Sequence, residues 1–266
     1  MSGSSDMDRR AVLGVIPARF GASRFPGKPL APLWGKPMLQ HVWERAREVE
    51  GFDALVVATE DDRIERAARD FGAEVERTSP ECPSGTDRAA EVARRRPEFA
   101  IVVNLQGDEP ELDPEGVERL IAAMRADRSI RMATLAHEEP DARALASPDV
   151  VKVAVDGSGD AVYFTRLDRE RDPRHGRRLR HVGVYAYARE FLLEFATWPP
   201  GILELGERLE QLRALERGVK IRVLETSAGS TGIDTPEQLA ALERRGPRAR
   251  AADIRRNEGG AAATRR

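Results

Sequence analysis

Three short apolar runs, at residues 12–16, 54–59 and 101–103, constrain the fold more than any other feature of the chain. Each is rich in valine, leucine or isoleucine and lacks polar alternation, the pattern of a strand buried on both faces of a parallel sheet. Segments of helical spacing separate them. Pro37 stands at the first turn of one, in which Leu39, Val42, Trp43 and Ala46 recur to about Glu50. Asp61 can cap the next, which runs through Ile64, Ala67 and Ala68 and stops at Gly72. Further helices are expected over 86–95 and 114–126. This alternation predicts right-handed βαβ units around a parallel sheet, an α/β fold.

The texture changes after Met132. Residues 132–137, 150–155, 161–165 and 181–188 read as short strands separated by turns such as Asp156-Gly157-Ser158-Gly159. This half is expected to be mixed or antiparallel. Helices near 190–196 and 203–217 precede a strand at 221–224, and Asp234-Thr235-Pro236-Glu237 caps a last helix. Residues 1–10 read as a disordered lead and 246–266 as a disordered tail.

Several function classes are excluded early. Forty-three basic against 45 acidic residues leave a formal charge of −2, without the basic excess of a general nucleic-acid binder. One cysteine, Cys82, allows neither a disulfide framework nor a multi-cysteine zinc site. No apolar stretch approaches the length needed to span a bilayer, and the first ten residues lack the apolar core of a secretory signal. No membrane insertion is expected, and the cytoplasm is the expected address.

Chemistry concentrates where the strands end. Pro17 removes a ladder donor and closes the first strand. The following loop carries Arg19, Gly21, Ser23, Arg24, Gly27 and Lys28. Open α/β sheets bind ligands at this edge, and free backbone N–H groups with three cations suit a polyphosphate. The spacing is not that of a P-loop, since five residues separate Gly21 from Gly27 and Pro29 follows the lysine; nor is there a G-x-G-x-x-G. The third strand ends in Gln106-Gly107-Asp108-Glu109-Pro110. A carboxylate here can hold magnesium, which takes hard oxygen ligands and bridges to phosphates, or it can serve as an acidic first turn of a helix. In Pro83-Ser84-Gly85-Thr86-Asp87-Arg88, a hydroxyl, a glycine and an arginine one turn in suit a pyrimidine and ribose. The same residues also make an ordinary helix cap with Arg88 on the wet face.

Ala18-Arg19-Phe20-Gly21-Ala22-Ser23-Arg24-Phe25-Pro26-Gly27-Lys28-Pro29-Leu30 resembles the first signature of the sugar-activating nucleotidyltransferases, A-R-x-x-S-[ST]-R-[LF]-P-G-K-P-L. Within them the chain is most similar to the cytidylyltransferases that make CMP-Kdo, Kdo being 3-deoxy-manno-octulosonate. The loop at 106–110 resembles their Q-G-D-E-P, 84–88 their S-G-T-[DE]-R, and Gly232-Ile233-Asp234-Thr235-Pro236-Glu237 their G-[VI]-D-T-P-E. Tyr163-Phe164-Thr165-Arg166, residues 180–187 and Leu209-Glu210-Gln211-Leu212-Arg213 resemble elements that contact the keto-acid sugar. The likeness runs from about Val12 to Leu242, with the motifs in the family's order.

The resemblance implies a Rossmann-like, mostly parallel central sheet with a smaller mixed or antiparallel subregion for acceptor binding and dimerisation. Residues 11–245 then form a single domain: a nucleotide-binding part over 11–130, an acceptor part over 131–225 and a return to the nucleotide part at 226–245. CTP and Kdo are the implied substrates, Mg2+ the cofactor, and a homodimer the implied assembly. Ala18, Arg19, Lys28, Ser84, Gly85 and Arg88 would bind the nucleotide, with Arg19, Lys28 and Asp108 catalytic. Asp108 and Asp234 would hold the metal, and a helix N-cap is compatible with the same Asp234. Gln106, Arg166, His181, Tyr185, Glu210 and Gln211 would meet the acceptor, Arg166 being suited to grip a carboxylate bidentately. Glu204 and Glu207 also fit a solvated acidic face. The chain departs from the family after Arg166, where Leu167-Asp168-Arg169-Glu170 replaces a short I-P-aromatic segment. That departure leaves an 8-amino Kdo analogue or a phosphonate open as acceptor, and a non-catalytic nucleotide sensor is the alternative of a different class.

Overall fold

The structure, a computed structural model, describes residues 10–21, 24–167, 177–226 and 232–247. The expected lead, apart from Arg10, and the expected tail beyond Pro247 lie outside them. The first half runs β1 (Val12–Pro17), a 3-10 turn (Lys28–Leu30), a small hairpin of β2 (Pro32–Leu33) and β3 (Lys36–Pro37), α1 (Met38–Ala46), β4 (Ala54–Thr59), α2 (Asp62–Asp70), β5 (Glu74–Arg77), α3 (Gly85–Arg95), β6 (Ile101–Asn104) and α4 (Pro114–Ala126). The second half runs β7 (Met132–His137), α5 (Ala142–Ala146), β8 (Lys152–Val155), β9 (Ala161–Thr165), β10 (Arg177–Ala188), α6 (Arg189–Phe195), α7 (Ile202–Glu207), α8 (Leu212–Glu216), β11 (Ile221–Glu225) and α9 (Pro236–Arg245).

One sheet holds all the longer strands, in the order β11-β7-β10-β6-β1-β4-β5, with β8 pairing β10 and β9. The register of β1 with β4 and with β6 is parallel, as is β4 with β5. The three apolar runs therefore form the parallel centre. Strand β10 joins the two halves. Its residues 185–188 run antiparallel to β6, residues 177–180 antiparallel to β8, and its other edge antiparallel to β7. The mixed character expected after Met132 is present, built onto the same sheet.

Burial on both faces follows from the alternation within each run. Val12 and Ile16 of β1 pack with Leu39, Val42, Ile64, Val117 and Leu120 beneath α1, α2 and α4. Leu13 and Val15 face the opposite layer, with Ala89, Ala93, Phe191, Phe195 and Leu212 of α3, α6 and α8. A third, smaller cluster of Leu33, Met38, Ile233 and Leu239, with Phe25 and Trp34 against it, fastens the return segment to the hairpin after the first loop.

Three differences from the sequence expectations have physical causes. Strand β5 is not anticipated, because Glu74-Val75-Glu76-Arg77 is an edge strand with charged side chains, which blunt an edge but hide the apolar signal. The helix expected over 203–217 is broken into α7 and α8. Arg208 takes a left-handed conformation (φ 56°, ψ 47°), and the bend lets both Leu209 and Leu212 reach the second core. Finally, α5 is short, with no buried residue and hence no periodic signal.

Candidate active site

Strands β1 and β6 are neighbours whose continuations run toward opposite edges of the sheet, to β4 and to β7, and ligands bind outside the carboxyl ends of strands at such a switch point. A cleft opens there. Its walls come from Pro17 at the end of β1 with Ala18 and Arg19 after it, Arg24 and Lys28 of the first loop, Ser84, Gly85 and Arg88 at the cap and first turn of α3, Gln106 and Asp108 after β6, and Asp234. The loops after β1 and β6 touch backbone to backbone. A Cβ placed on Gly107 would lie 2.7 Å from the Pro17 carbonyl oxygen. Gly107→Ala should therefore push the two loops apart, costing about 1–3 kcal/mol of stability as overpacking. Thermal unfolding measures the cost, and an unchanged midpoint would contradict this packing.

Lys28 sits at the centre of the cleft's charge. Its Nζ donates to Asp108 Oδ2 at 2.5 Å and to Asp234 Oδ1 at 3.3 Å. Arg24 Nη2 lies 2.9 Å from Asp234 Oδ2. Two carboxylates 126 positions apart in sequence thus converge on one ammonium. Backbone contact reinforces this, since the Ile233 N–H donates to the Asp108 carbonyl at 2.9 Å.

Capping does not account for either acid. Thr235, not Asp234, caps α9, with Oγ1 accepting from the Gln238 N–H while Gln238 Oε1 accepts from the Asp234 and Thr235 N–H groups. The Asp234 side chain is thereby left to face Lys28. Asp113 caps α4, so Asp108 is not a first-turn acid. Of the acidic pair after β6, only Asp108 lines the cleft. Glu109 is buried, with Oε1 3.0 Å from the place a Cβ on Gly183 would take.

Ser84 does double duty, accepting from the Thr86 and Asp87 N–H groups as the cap of α3 and donating to Glu210 Oε1 at 2.8 Å. Arg88 corrects the expectation of a wet face. It is 3% exposed, its guanidinium 2.6 Å from Glu60 Oε2 and bonded to Thr78 Oγ1. Arg19 stands exposed at the mouth, and the Ala18 N–H is bound to the Ala58 carbonyl at 2.9 Å.

The acceptor-side candidates gather next to Ser84. Glu210 also accepts from the Thr86 hydroxyl, and burial pushes its carboxyl above the usual range. Asn104, fully buried at the end of β6, directs Nδ2 to Thr86 Oγ1 at 3.4 Å. Asn104 Oδ1 and Gln211 Nε2 are buried polar atoms with no hydrogen-bond partner among the described residues. Buried polar atoms are nearly always paired, so orphans gathered beside a cleft mark a place built for a polar ligand. Gln106 lies between the two groups, its Cγ 3.2 Å from the position of a Gly183 Cβ. Arg166 approaches the same region from β9, and Glu207 accepts from the Arg166 N–H and the Thr165 hydroxyl rather than standing on a solvated face. Glu204 likewise pairs with Arg213.

His181 belongs to this group as a neutral imidazole. Thr134 Oγ1 donates to the Val184 carbonyl at 2.8 Å, so at 3.0 Å it accepts from His181 Nε2–H. Burial, with a smaller push from the Arg166 cation, lowers the imidazole to about 3. The unfolded chain takes up a proton near pH 6.5 and the folded one only near 3, so this stability is present above pH 6.5 and lost as pH falls below it. The stability difference between wild type and His181→Gln should change by about 1.4 kcal/mol per pH unit between pH 6 and 4. A pH-independent difference in denaturant titrations would show that the ring is not held neutral.

Thr86 and Asn104 are site residues that the sequence reading did not assign, and Arg24, read there only as one of three cations suited to a polyphosphate, also pairs with Asp234. Asn104 carries a signal, a polar residue ending an apolar run. The other two sit inside motifs already marked.

The donor set fits magnesium. Two hard carboxylates converge, and no group of three or more histidine, cysteine or acidic side chains gathers among the described residues. Magnesium is commonly held by one or two carboxylates together with substrate phosphates.

The cytidylyltransferase family profile matches residues 13–221. The 3-deoxy-manno-octulosonate cytidylyltransferase of Solibacter usitatus is 47% identical over 241 residues, spanning 88% of this chain and 94% of the relative. That of Anaeromyxobacter dehalogenans strain 2CP-1 is 52% identical over 236 residues, 86% and 95% of the two chains. A solved CMP:2-keto-3-deoxy-manno-octonic acid synthetase complexed with CTP superposes with a TM-score of 0.82 at 43% identity, covering 88% of this chain and 98% of that one. The 4-diphosphocytidyl-2C-methyl-D-erythritol synthase of Anaerococcus prevotii, at 13% identity and a TM-score of 0.61 over 89% and 96% of the chains, shares the fold. The chain belongs to the cytidylyltransferase family, among the 3-deoxy-manno-octulosonate cytidylyltransferases.

Proposed function

We propose that this protein transfers CMP from CTP to Kdo, forming CMP-Kdo and diphosphate. The observation that carries the reading is the convergence of Asp108 and Asp234 on Lys28 in the cleft between β1 and β6. Each of the three comes from a different motif. The Kdo name borne by close relatives favours Kdo over an amino analogue or a phosphonate. Of the altered segment after Arg166, all but Leu167 lies outside the described residues.

In this mechanism the anomeric hydroxyl of Kdo attacks the α-phosphorus of CTP. The bond from that phosphorus to the bridging oxygen breaks, diphosphate leaves, and the hydroxyl proton is released. Lys28 and Arg19 neutralise the triphosphate and stabilise charge growing on the leaving group. Asp108 and Asp234 would hold Mg2+, which would supply charge neutralisation at the phosphates and lower the pKa of a bound hydroxyl. Ala18, Ser84, Gly85 and Arg88 border the nucleotide. Gln106, His181, Tyr185, Glu210 and Gln211 meet the sugar hydroxyls, while Arg166 takes its carboxylate. Transfer rests on positioning and electrostatics, which is what a cleft of fixed charges provides.

Diphosphate release tests this directly. Release should require CTP, Mg2+ and Kdo together and be much slower with UTP. Release with CTP that ignores Kdo would contradict the acceptor, and none with any keto acid would contradict catalysis and favour the sensor.

The enzyme works in the cytoplasm as a homodimer joined through its second half. In support, the large apolar side chains that stand exposed among the described residues, Val162, Leu167, Ile202, Leu203 and Leu205, lie on or next to β9 and on α7. No described helix is long and apolar enough to cross a membrane. Leu205→Asp should sediment as a monomer where the wild type sediments as a dimer; a monomeric wild type would refute the assembly.

A further inference from the structure

A fully buried lysine lies outside the machinery described so far. Lys152 opens β8 with no solvent exposure. Its Nζ donates to the carbonyls of Ser147 at 2.9 Å, Val150 at 3.0 Å and Arg166 at 2.6 Å. An ammonium has three hydrogens to donate, and three backbone carbonyls from two separate segments accept from it. A charge removed from water needs such partners, so the contacts are strongly directional constraints on both segments.

The segments it ties are the two that fix Arg166. Within loop 147–150, the Pro148 and Asp149 carbonyls each lie 3.4 Å from Arg166 Nη1. They sit between the two loop carbonyls that Lys152 binds. From the other side, Glu207 of α7 accepts from the Arg166 N–H at 3.1 Å and from the Thr165 hydroxyl at 2.9 Å. The backbone of Arg166 is thus held at its carbonyl by Lys152 and at its N–H by Glu207, and the guanidinium rests against a loop that Lys152 also grips.

We propose that Lys152 and Glu207 are positioning residues of the acceptor site, which set affinity for the acid substrate by fixing Arg166 without themselves touching it. The inference rests on the assignment of Arg166 to the acceptor carboxylate. A bidentate grip tolerates little error in angle, so an arginine whose backbone is released loses the gain of a preset geometry. The nucleotide cleft, walled by other elements, is unaffected.

The test compares Lys152→Met, Lys152→Gln, Glu207→Ala and Arg166→Ala, each alone and the first three also combined with Arg166→Ala. KM for Kdo, KM for CTP and the unfolding midpoint are measured for each. Lys152→Met and Glu207→Ala should raise KM for Kdo about tenfold or more while KM for CTP stays within about twofold. Lys152→Gln, which keeps two N–H donors, should recover part of the loss, and it carries the test should the methionine variant fail to fold. In the Arg166→Ala background none of the three should add a further loss. Parallel rises in both KM values, or full additivity with Arg166→Ala, would mean a merely structural role and overturn the proposal. So would a raised KM in Arg166→Ala alone, with the other variants normal. Arg166→Ala with normal KM for Kdo would instead overturn the acceptor role of Arg166, and the positioning role with it.

Discussion

Lys28→Ala should lower turnover about a hundredfold or more, equivalent to the roughly 3 kcal/mol expected when a preorganised charge is removed from a developing oxyanion. Lys28 is only 13% exposed at its side chain, whereas Asp108 and Asp234 are 26% and 43% exposed. Its removal leaves the carboxylates in contact with water, so the variant should remain folded. The loss belongs in kcat more than in KM for CTP, because the cation's gain is largest when charge moves onto the departing diphosphate. Stopped assays of CMP-Kdo formation on the folded variant measure it. Turnover within about threefold of wild type would contradict the role, since no preorganised charge of this kind is so weak.

Asp108→Asn is the second large effect. It keeps the size of the side chain and one oxygen acceptor but removes the charge that faces Lys28 and, in the proposed mechanism, would hold Mg2+. Turnover should fall by about two to three orders of magnitude, the range for loss of a single electrostatic contributor. CTP should still bind, because Ala18, Ser84, Gly85 and Arg88 line the cleft independently of this acid. Isothermal titration with CTP, beside the turnover assay, separates the two. Full activity would remove Asp108 from the chemistry, whereas loss of CTP binding in step with turnover would make it a nucleotide ligand instead.

Both variants act on residues that the sequence already singles out, and the reason is physical. Lys28, Asp108 and Asp234 sit in loops after strands or before a helix, where glycine and proline mark the chain's turns. The parallel centre was equally legible, because strands buried on both faces leave unbroken apolar runs. Less legible was everything decided by tertiary contact. Nothing local announces the turn at Arg208, which has a left-handed backbone without being glycine and exists to bury Leu209 and Leu212. Arg88 reads as surface until Glu60 and Thr78 are seen around it. Strand β5 is written in charged residues because it lies at an edge. Lys152 shows no sign in the sequence of the three carbonyls it gathers, two of them within five residues and the third across a hairpin.

In the proposed mechanism, acids from two distant segments and one lysine form a single nucleotidyl-transfer centre. Mn2+ binding in the presence of CTP, followed by the paramagnetic signal of the free ion, tests it most directly. Subtracting the binding of CTP alone isolates the site that the protein completes. Asp108→Asn and Asp234→Asn should each weaken that same site, and the double variant should weaken it little further. If Asp234→Asn left Mn2+ binding at the wild-type level, the two carboxylates would not share a metal, and the centre described here would be wrong.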